Sequence, residues 1–228
     1  MKCSEICALI EQEYGTEYAC DWDNVGLLAG RSTKEVKKIL LSLDATDEVV
    51  RMAAEGGYDM LITHHPMLFS AIKRVTDQDM NGRRLLELIH NDISYYAMHT
   101  NYDTRGMADL AARLMELTEC AVLEEVKDGE GIGRVGKLPH PMTLRECGEQ
   151  VKVAYGIPNV RLFGDPDTQV SLVGICPGAG KSTMPLALGF GCDVYITGDI
   201  DHHTGIDAVD QGMCIIDAGH YGVEHIFM

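Results

Sequence analysis

The sequence predicts an α/β protein built as two similar halves, with a metal site where the halves meet. Two observations carry that expectation. Apolar runs of strand length alternate with amphipathic helical segments along the 228 residues. The chain also states one pattern twice. Gly57-Tyr58-Asp59-Met60-Leu61-Ile62-Thr63 runs into His64-His65-Pro66, and Gly191-Cys192-Asp193-Val194-Tyr195-Ile196-Thr197 runs, after Gly198-Asp199-Ile200-Asp201, into His202-His203. Downstream of the first pair comes Tyr95-Tyr96-Ala97-Met98-His99-Thr100-Asn101-Tyr102-Asp103. Downstream of the second comes Ile215-Ile216-Asp217-Ala218-Gly219-His220-Tyr221-Gly222-Val223-Glu224. Each copy is an apolar strand, a histidine pair, a second apolar strand and a His-x-x-x-carboxylate. Packing does not explain metal-binding groups at matched places in both copies (His64, His65, His99, Asp103; His202, His203, His220, Glu224). They read as a pseudo-twofold internal repeat around a metal site.

The elements follow in order. Residues 2–14 have helical spacing through Ile6, Leu9 and Ile10, and lead into the loop Asp21-Trp22-Asp23-Asn24-Val25-Gly26. A buried strand is expected near 38–44, closed by Asp44-Ala45-Thr46. Thr46 or Asp47 caps the next helix, with Val49, Val50, Met52 and Ala53 inward and Gly56-Gly57 ending it. A strand over 59–63 delivers His64 and His65 at its C-terminal end. A helix over 80–91, a strand over 93–98 and a helix over 106–118 complete a first half of 1–119. Residues 120–168, with Lys127-Asp128-Gly129-Glu130-Gly131, short β-like runs and a helix over 143–154, read as a linking insertion. The second half, 169–228, repeats the order: strand 169–176, glycine-rich turn 178–180, helix 182–190, strand 192–197, helix 203–211, strand 213–217. Sheets of this kind bind ligands at the carboxyl ends of their strands.

Bulk properties exclude several classes. A net charge of −16 argues against nucleic acid or an anionic membrane as partner. No apolar run approaches a membrane span, and Met1-Lys2-Cys3-Ser4-Glu5 has no signal-peptide character, so a cytoplasmic address is expected. The eight cysteines, at 3, 7, 20, 120, 147, 176, 192 and 214, form no C-x-x-C pair and read as reduced structural thiols.

Adjacent histidines on a strand point to opposite faces, but at a strand end that turns at Pro66 the two rings can serve neighbouring ions. His220 and Glu224 are four apart, as are His99 and Asp103, which puts imidazole and carboxylate on one face of a helical turn, about 5–6 Å apart at Cβ. Gly178-Ala179-Gly180-Lys181-Ser182-Thr183 imitates a phosphate loop, yet the glycine that motif needs at position 175 is Ile175. A tight turn, or a turn whose amides hold an anion, is what remains.

Six ordered motifs resemble one family over nearly the whole chain. They are Asp21-Trp22-Asp23-Asn24-Val25-Gly26-Leu27, Leu43-Asp44-Ala45-Thr46, Thr63-His64-His65-Pro66, His99-Thr100-Asn101-Tyr102-Asp103, Thr197-Gly198-Asp199-Ile200 and Asp217-Ala218-Gly219-His220-Tyr221-x-x-Glu224. The chain is similar to the Nif-three-like dinuclear-metal proteins, also called GTP cyclohydrolase I type 2 homologues. The resemblance implies two divalent cations per subunit, held by His64, His65, Asp103, His220 and a bridging Glu224, in a toroidal homohexamer. It leaves His99, His202 and His203 lining the cavity as candidates for proton transfer. Two departures stand out: Asp201 occupies a place often basic in relatives, and relatives usually continue past the segment that ends here at Met228.

Two functions are compatible with such a chain. The first is a metal-dependent hydrolase of the GTP cyclohydrolase type, acting on a nucleotide or phosphorylated small molecule with Zn, Fe, Mn, Co or Ni. Its phosphates would need Lys181, Arg105, Arg74 or Lys73, few cations for a chain of this charge. The second is a non-catalytic metal store, chaperone or partner-binding scaffold.

Overall fold

The computed structural model describes residues 1–228, which divide into two compact units. The first comprises Met1–Tyr102 with Phe227–Met228, the second Asp103–Ile226.

The first unit runs α1 (Cys3–Glu13), β1 (Gly26–Ala29), β2 (Ile39–Ser42), α2 (Asp47–Glu55), β3 (Met60–Thr63), α3 (Met80–His90), β4 (Ser94–Ala97) and the single turn α4 (Thr100–Tyr102). Its sheet has the order β1-β4-β3-β2, with β2, β3 and β4 parallel and β1 antiparallel to β4. Side-chain alternation explains why β3 and β4 are buried at every position. Met60, Ile62 and Tyr96 face a core with Cys3 and Cys7 of α1, while Leu61, Tyr95 and Ala97 face one with Val50, Ala53 and Leu88 of α2 and α3. A strand covered on both faces reads as continuously apolar rather than alternating.

Two expectations fail here, each for its own geometric reason. The strand expected to be buried near 38–44 is the edge strand β2, where Ile39 and Leu41 are 38% and 47% exposed. Met52, expected inward, is 50% exposed. It lies two residues from Val50, about 200° around a helix, so it cannot share the buried stripe.

The second unit opens with a π-helical turn, Asp103–Met107. It continues through α5 (Ala108–Leu114), β5 (Thr118–Lys127), β6 (Glu130–Thr143), α6 (Leu144–Tyr155), β7 (Arg161–Phe163), β8 (Gln169–Ala179), α7 (Met184–Gly189), β9 (Val194–Gly198), α8 (His202–Asp210), β10 (Cys214–Asp217) and α9 (His220–Glu224). Six strands take the order β5-β6-β8-β9-β10-β7, with β8, β9 and β10 parallel. This sheet too is covered on both faces: Val194, Ile196 and Ile216 pack with α6, and Tyr195 and Ile215 with residues of α7 and α8. Thr143 starts α6 with a reciprocal capping box with Glu146, and Gly156 ends it in the left-handed conformation. Each unit thus holds a run of three parallel strands in the same chain order, as an internal repeat requires. The segment expected as a link, 120–168, sits inside this unit, since β6 pairs with both β5 and β8.

Candidate metal centre

In the first unit the strand ends carry three histidines. The ladder continues past β3, with His64 and His65 amides donating to the Ser42 and Leu43 carbonyls at 3.3 and 2.9 Å. Buried Tyr95 then pins the turn. Its hydroxyl lies 2.8 Å from Thr63 Oγ1, donates to the His65 carbonyl at 3.2 Å and accepts from the Met67 amide at 2.7 Å. Turned at Pro66 in this way, the adjacent rings sit 4.9 Å apart between centroids, and His99 lies 5.1 Å from His64 and 5.6 Å from His65. One ligand nitrogen from each of the three lies within 4.8 Å of the others. Trp22 stands edge-on to His99 at 6.0 Å.

Every ring in this group spends its Nδ1 on an acceptor. His64 Nδ1 donates to the Met98 carbonyl at 2.9 Å, His65 Nδ1 to Asp44 Oδ1 at 2.9 Å, and His99 Nδ1 to Asp23 Oδ1 at 3.0 Å. Carbonyl and carboxylate oxygens can only accept here, so Nδ1 carries its hydrogen and Nε2 is the ring nitrogen left for a metal. That is how a protein prepares imidazole for a metal. Asp23 is itself held hard. Burial works to raise its pKa, but hydrogen bonds from His99 and Thr100 outweigh it and bring the value down to about 2. Both the Thr100 amide and its hydroxyl donate to Asp23 Oδ2, at 3.0 and 2.5 Å.

The second unit builds a corresponding pair. His220 Nδ1 donates to Asp199 Oδ2 at 2.8 Å, and its Nε2 lies 3.0 Å from Oε2 of Glu224, which is 3% exposed. Glu224 first, then Asp199, push the His220 pKa up to about 9 against the effect of burial. The ring therefore carries a proton that a cation on Nε2 would replace. Asp217 fixes the loops bearing both partners. Its Oδ2 accepts from the Ile200 amide at 3.1 Å and Arg161 Nη2 at 2.5 Å, and its Oδ1 from the Gly219 amide at 2.9 Å. Two glycines make room. A Cβ on Gly198 would meet the His220 amide nitrogen at 2.5 Å, and one on Gly178, at φ +77°, would meet Glu224 Oε1 at 2.2 Å.

Of the residues expected from sequence, the structure brings together His64, His65 and His99 in one unit and His220 and Glu224 in the other. Asp103 opens the π-helical turn. His202 and His203 are exposed on the first turn of α8, their rings 5.3 Å apart. Asp201 caps that helix, accepting from the Thr204 amide at 3.0 Å and from Lys181 Nζ at 2.5 Å. Lys181 is thereby an ion-pair partner rather than the lysine of a phosphate loop. Sequence reasoning gave no role to Asp23, Asp44 or Asp199. The only signal was that each stands in a motif at a strand end or in the loop before β1.

Comparison with known proteins finds relatives over nearly the whole chain. The family model Duf34/NIF3 (NGG1p interacting factor 3) matches residues 1–228. The chain is 35% identical over 228 residues to a GTP cyclohydrolase 1 type 2 homolog of Clostridium perfringens, covering 98% of this chain and 87% of that one. Among solved structures, reduced HcgD from Methanocaldococcus jannaschii superposes with a TM-score of 0.86 at 32% identity, over 99% of this chain and 89% of the other. A Bacillus cereus protein related to NIF3 gives 0.92 at 24% identity, over 98% and 89%, a likeness of fold alone.

Proposed function

Because the chain belongs to the Duf34/NIF3 family, we propose that it is a dinuclear divalent-metal protein and a metal-dependent hydrolase. His64, His65, Asp103, His220 and Glu224 would hold the ions. The observation that supports this best is the set of locked Nδ1 atoms, which leaves Nε2 of His64, His65 and His220 as prepared donors. Imidazole mixed with carboxylate suits Zn, Fe, Mn, Co or Ni. When bound, such a pair of cations supplies Lewis-acid polarisation and an activated water at neutral pH.

The chain's own residues do the rest. Asp44, Asp23, Asp199 and the Met98 carbonyl orient the rings. Glu224 supplies negative charge to offset the cations. His99 keeps Nε2 for a proton or a substrate oxygen, and His202 and His203 stand as further candidates for proton transfer. Curated relatives are named GTP cyclohydrolase 1 type 2 homologs, which makes a nucleotide or phosphorylated heterocycle the first substrate to try. The assembly expected is a toroidal homohexamer.

The exposure of His202 and His203 favours a second reading, a metal-binding scaffold without turnover. One experiment separates them. The reconstituted protein is incubated with GTP and a panel of phosphorylated heterocycles, with and without a chelator. Product that appears only with metal supports the hydrolase, and full metal occupancy with no product anywhere in the panel overturns it in favour of the scaffold.

A further inference from the structure

Many cations in this protein pair with carboxylates: Lys181 with Asp201, Arg134 with Asp109 and Glu130, Arg161 with Asp217, Lys137 with Glu119. One cavity gathers more cations than carboxylates. Arg51 of α2 and Arg83 and Arg84 of α3 line a cavity of about 210 Å³ with Asp47 and Glu87, three positive charges against two negative in a chain of net charge −16.

Arg84 is the centre of this group. Its side chain is only 16% exposed, and its Nε donates to Asp47 Oδ1 at 2.6 Å. The other Asp47 oxygen lies 3.5 Å from Arg83 Nη2, so one carboxylate serves both arginines. No protein acceptor takes the hydrogens of Arg84 Nη1 or Nη2, and Arg51 forms no ion pair. Arg84 also lines a second cavity of about 280 Å³, together with Asp44, Thr46, Asn81, Met80 and His65. The same guanidinium therefore reaches the arginine cluster on one side and a space that opens on His65 on the other. In that space Asp44 Oδ1 accepts from His65 Nδ1 at 2.9 Å.

We propose that Arg84, flanked by Arg83 and Arg51, is the phosphate subsite of an anionic small-molecule substrate, whose remainder lies along the second cavity toward His65. The paired Nη groups of a guanidinium match two phosphate oxygens, a geometry lysine cannot reproduce. The half-buried setting strengthens the contact relative to one in open water. The substrate class follows: a phosphorylated compound short enough to span from Arg84 to His65. That the reacting end lies at His65 rests on the metal reading above, while the phosphate contact does not.

The test uses inorganic phosphate as probe and the full chain stripped of metal, so that phosphate has no cation to bind. Affinity is read by titration calorimetry for the parent protein and for Arg84→Gln, Arg84→Lys, Arg51→Gln and, as control, the surface change Arg145→Gln. The expected result is saturable binding, weakened at least about tenfold by Arg84→Gln and less by Arg84→Lys and Arg51→Gln, with the control unchanged. If Arg84→Gln does not fold, Arg51→Gln decides, because Arg51 is exposed and forms no ion pair. No saturable binding, equal binding by the Arg51 and Arg84 variants and the parent, or equal displacement by acetate overturns the phosphate subsite. Metal uptake is measured on the same samples. Phosphate binding without metal uptake overturns the metal reading and leaves the subsite standing; metal uptake without phosphate binding overturns the subsite alone.

Discussion

Two histidine pairs follow nearly the same strand sequence and end in different worlds. His64 and His65 come directly after Thr63 of β3, where the ladder still holds the backbone. His64 is fully buried, and both Nδ1 atoms are bonded to acceptors at 2.9 Å. His202 and His203 follow Thr197 of β9 only after four more residues, Gly198 to Asp201, and those residues change everything. Asp199 takes a left-handed backbone at φ 58° and serves His220, Asp201 becomes a helix cap, and the histidines are left exposed on the first turn of α8. A sequence repeat preserves residue types more easily than environments. Where the environment differs, the chemistry should differ too.

The largest effect expected from this contrast is on metal uptake. His64→Ala or His65→Ala should weaken divalent-metal binding by more than about a hundredfold, beyond the range for losing an orienting group. His203→Ala should leave it unchanged, and competition with a chromogenic chelator measures both. Loss of metal in His203→Ala would show that the exposed pair ligates after all.

Next comes the orienting carboxylate. Asp44→Asn keeps size but relaxes control of the His65 tautomer, and should cost about 10–100-fold in metal affinity. Unchanged affinity would break the claim that the bonded Nδ1 atoms are what distinguish the first pair.

A smaller effect sharpens the comparison from the other side. If His203 transfers a proton, His203→Ala should lower turnover at least about tenfold at full metal occupancy. Unchanged turnover makes the exposed pair a helix start and nothing more. The smallest effect is at Lys181. Its pair with Asp201 is exposed on both sides (61% and 48%), so Lys181→Ala should move Tm by no more than about 2 °C and leave nucleotide binding in the absence of metal unchanged.

Much of this was legible in the chain, for identifiable reasons. Periodicity places α2, α3, β3, β4, β9 and β10 within a residue or two, because each carries an uninterrupted stripe or run. The β5–β6 hairpin was visible only as short β-like runs. Gly131, Gly133 and Gly136 dilute the apolar pattern of β6, and Pro139 and Pro141 argue locally against a 14-residue strand. The edge position of β2 was hidden for a different reason: Ile39-Leu40-Leu41 looks like a central strand, and only sheet order decides which face is covered. The same holds at the site. The histidines announce themselves by repetition, but Asp23 reaches His99 across 76 residues and Asp44 reaches His65 across 21, distances over which no local pattern operates.

Metal stoichiometry tests the dinuclear centre most directly. Purified protein, stripped and reconstituted with a single divalent metal, then freed of excess ion, should contain two ions per chain by elemental analysis. Glu224→Gln, which keeps the shape of the side chain but removes its charge, should fall short of that value. One ion or fewer per chain in the parent protein after full reconstitution would contradict the dinuclear centre.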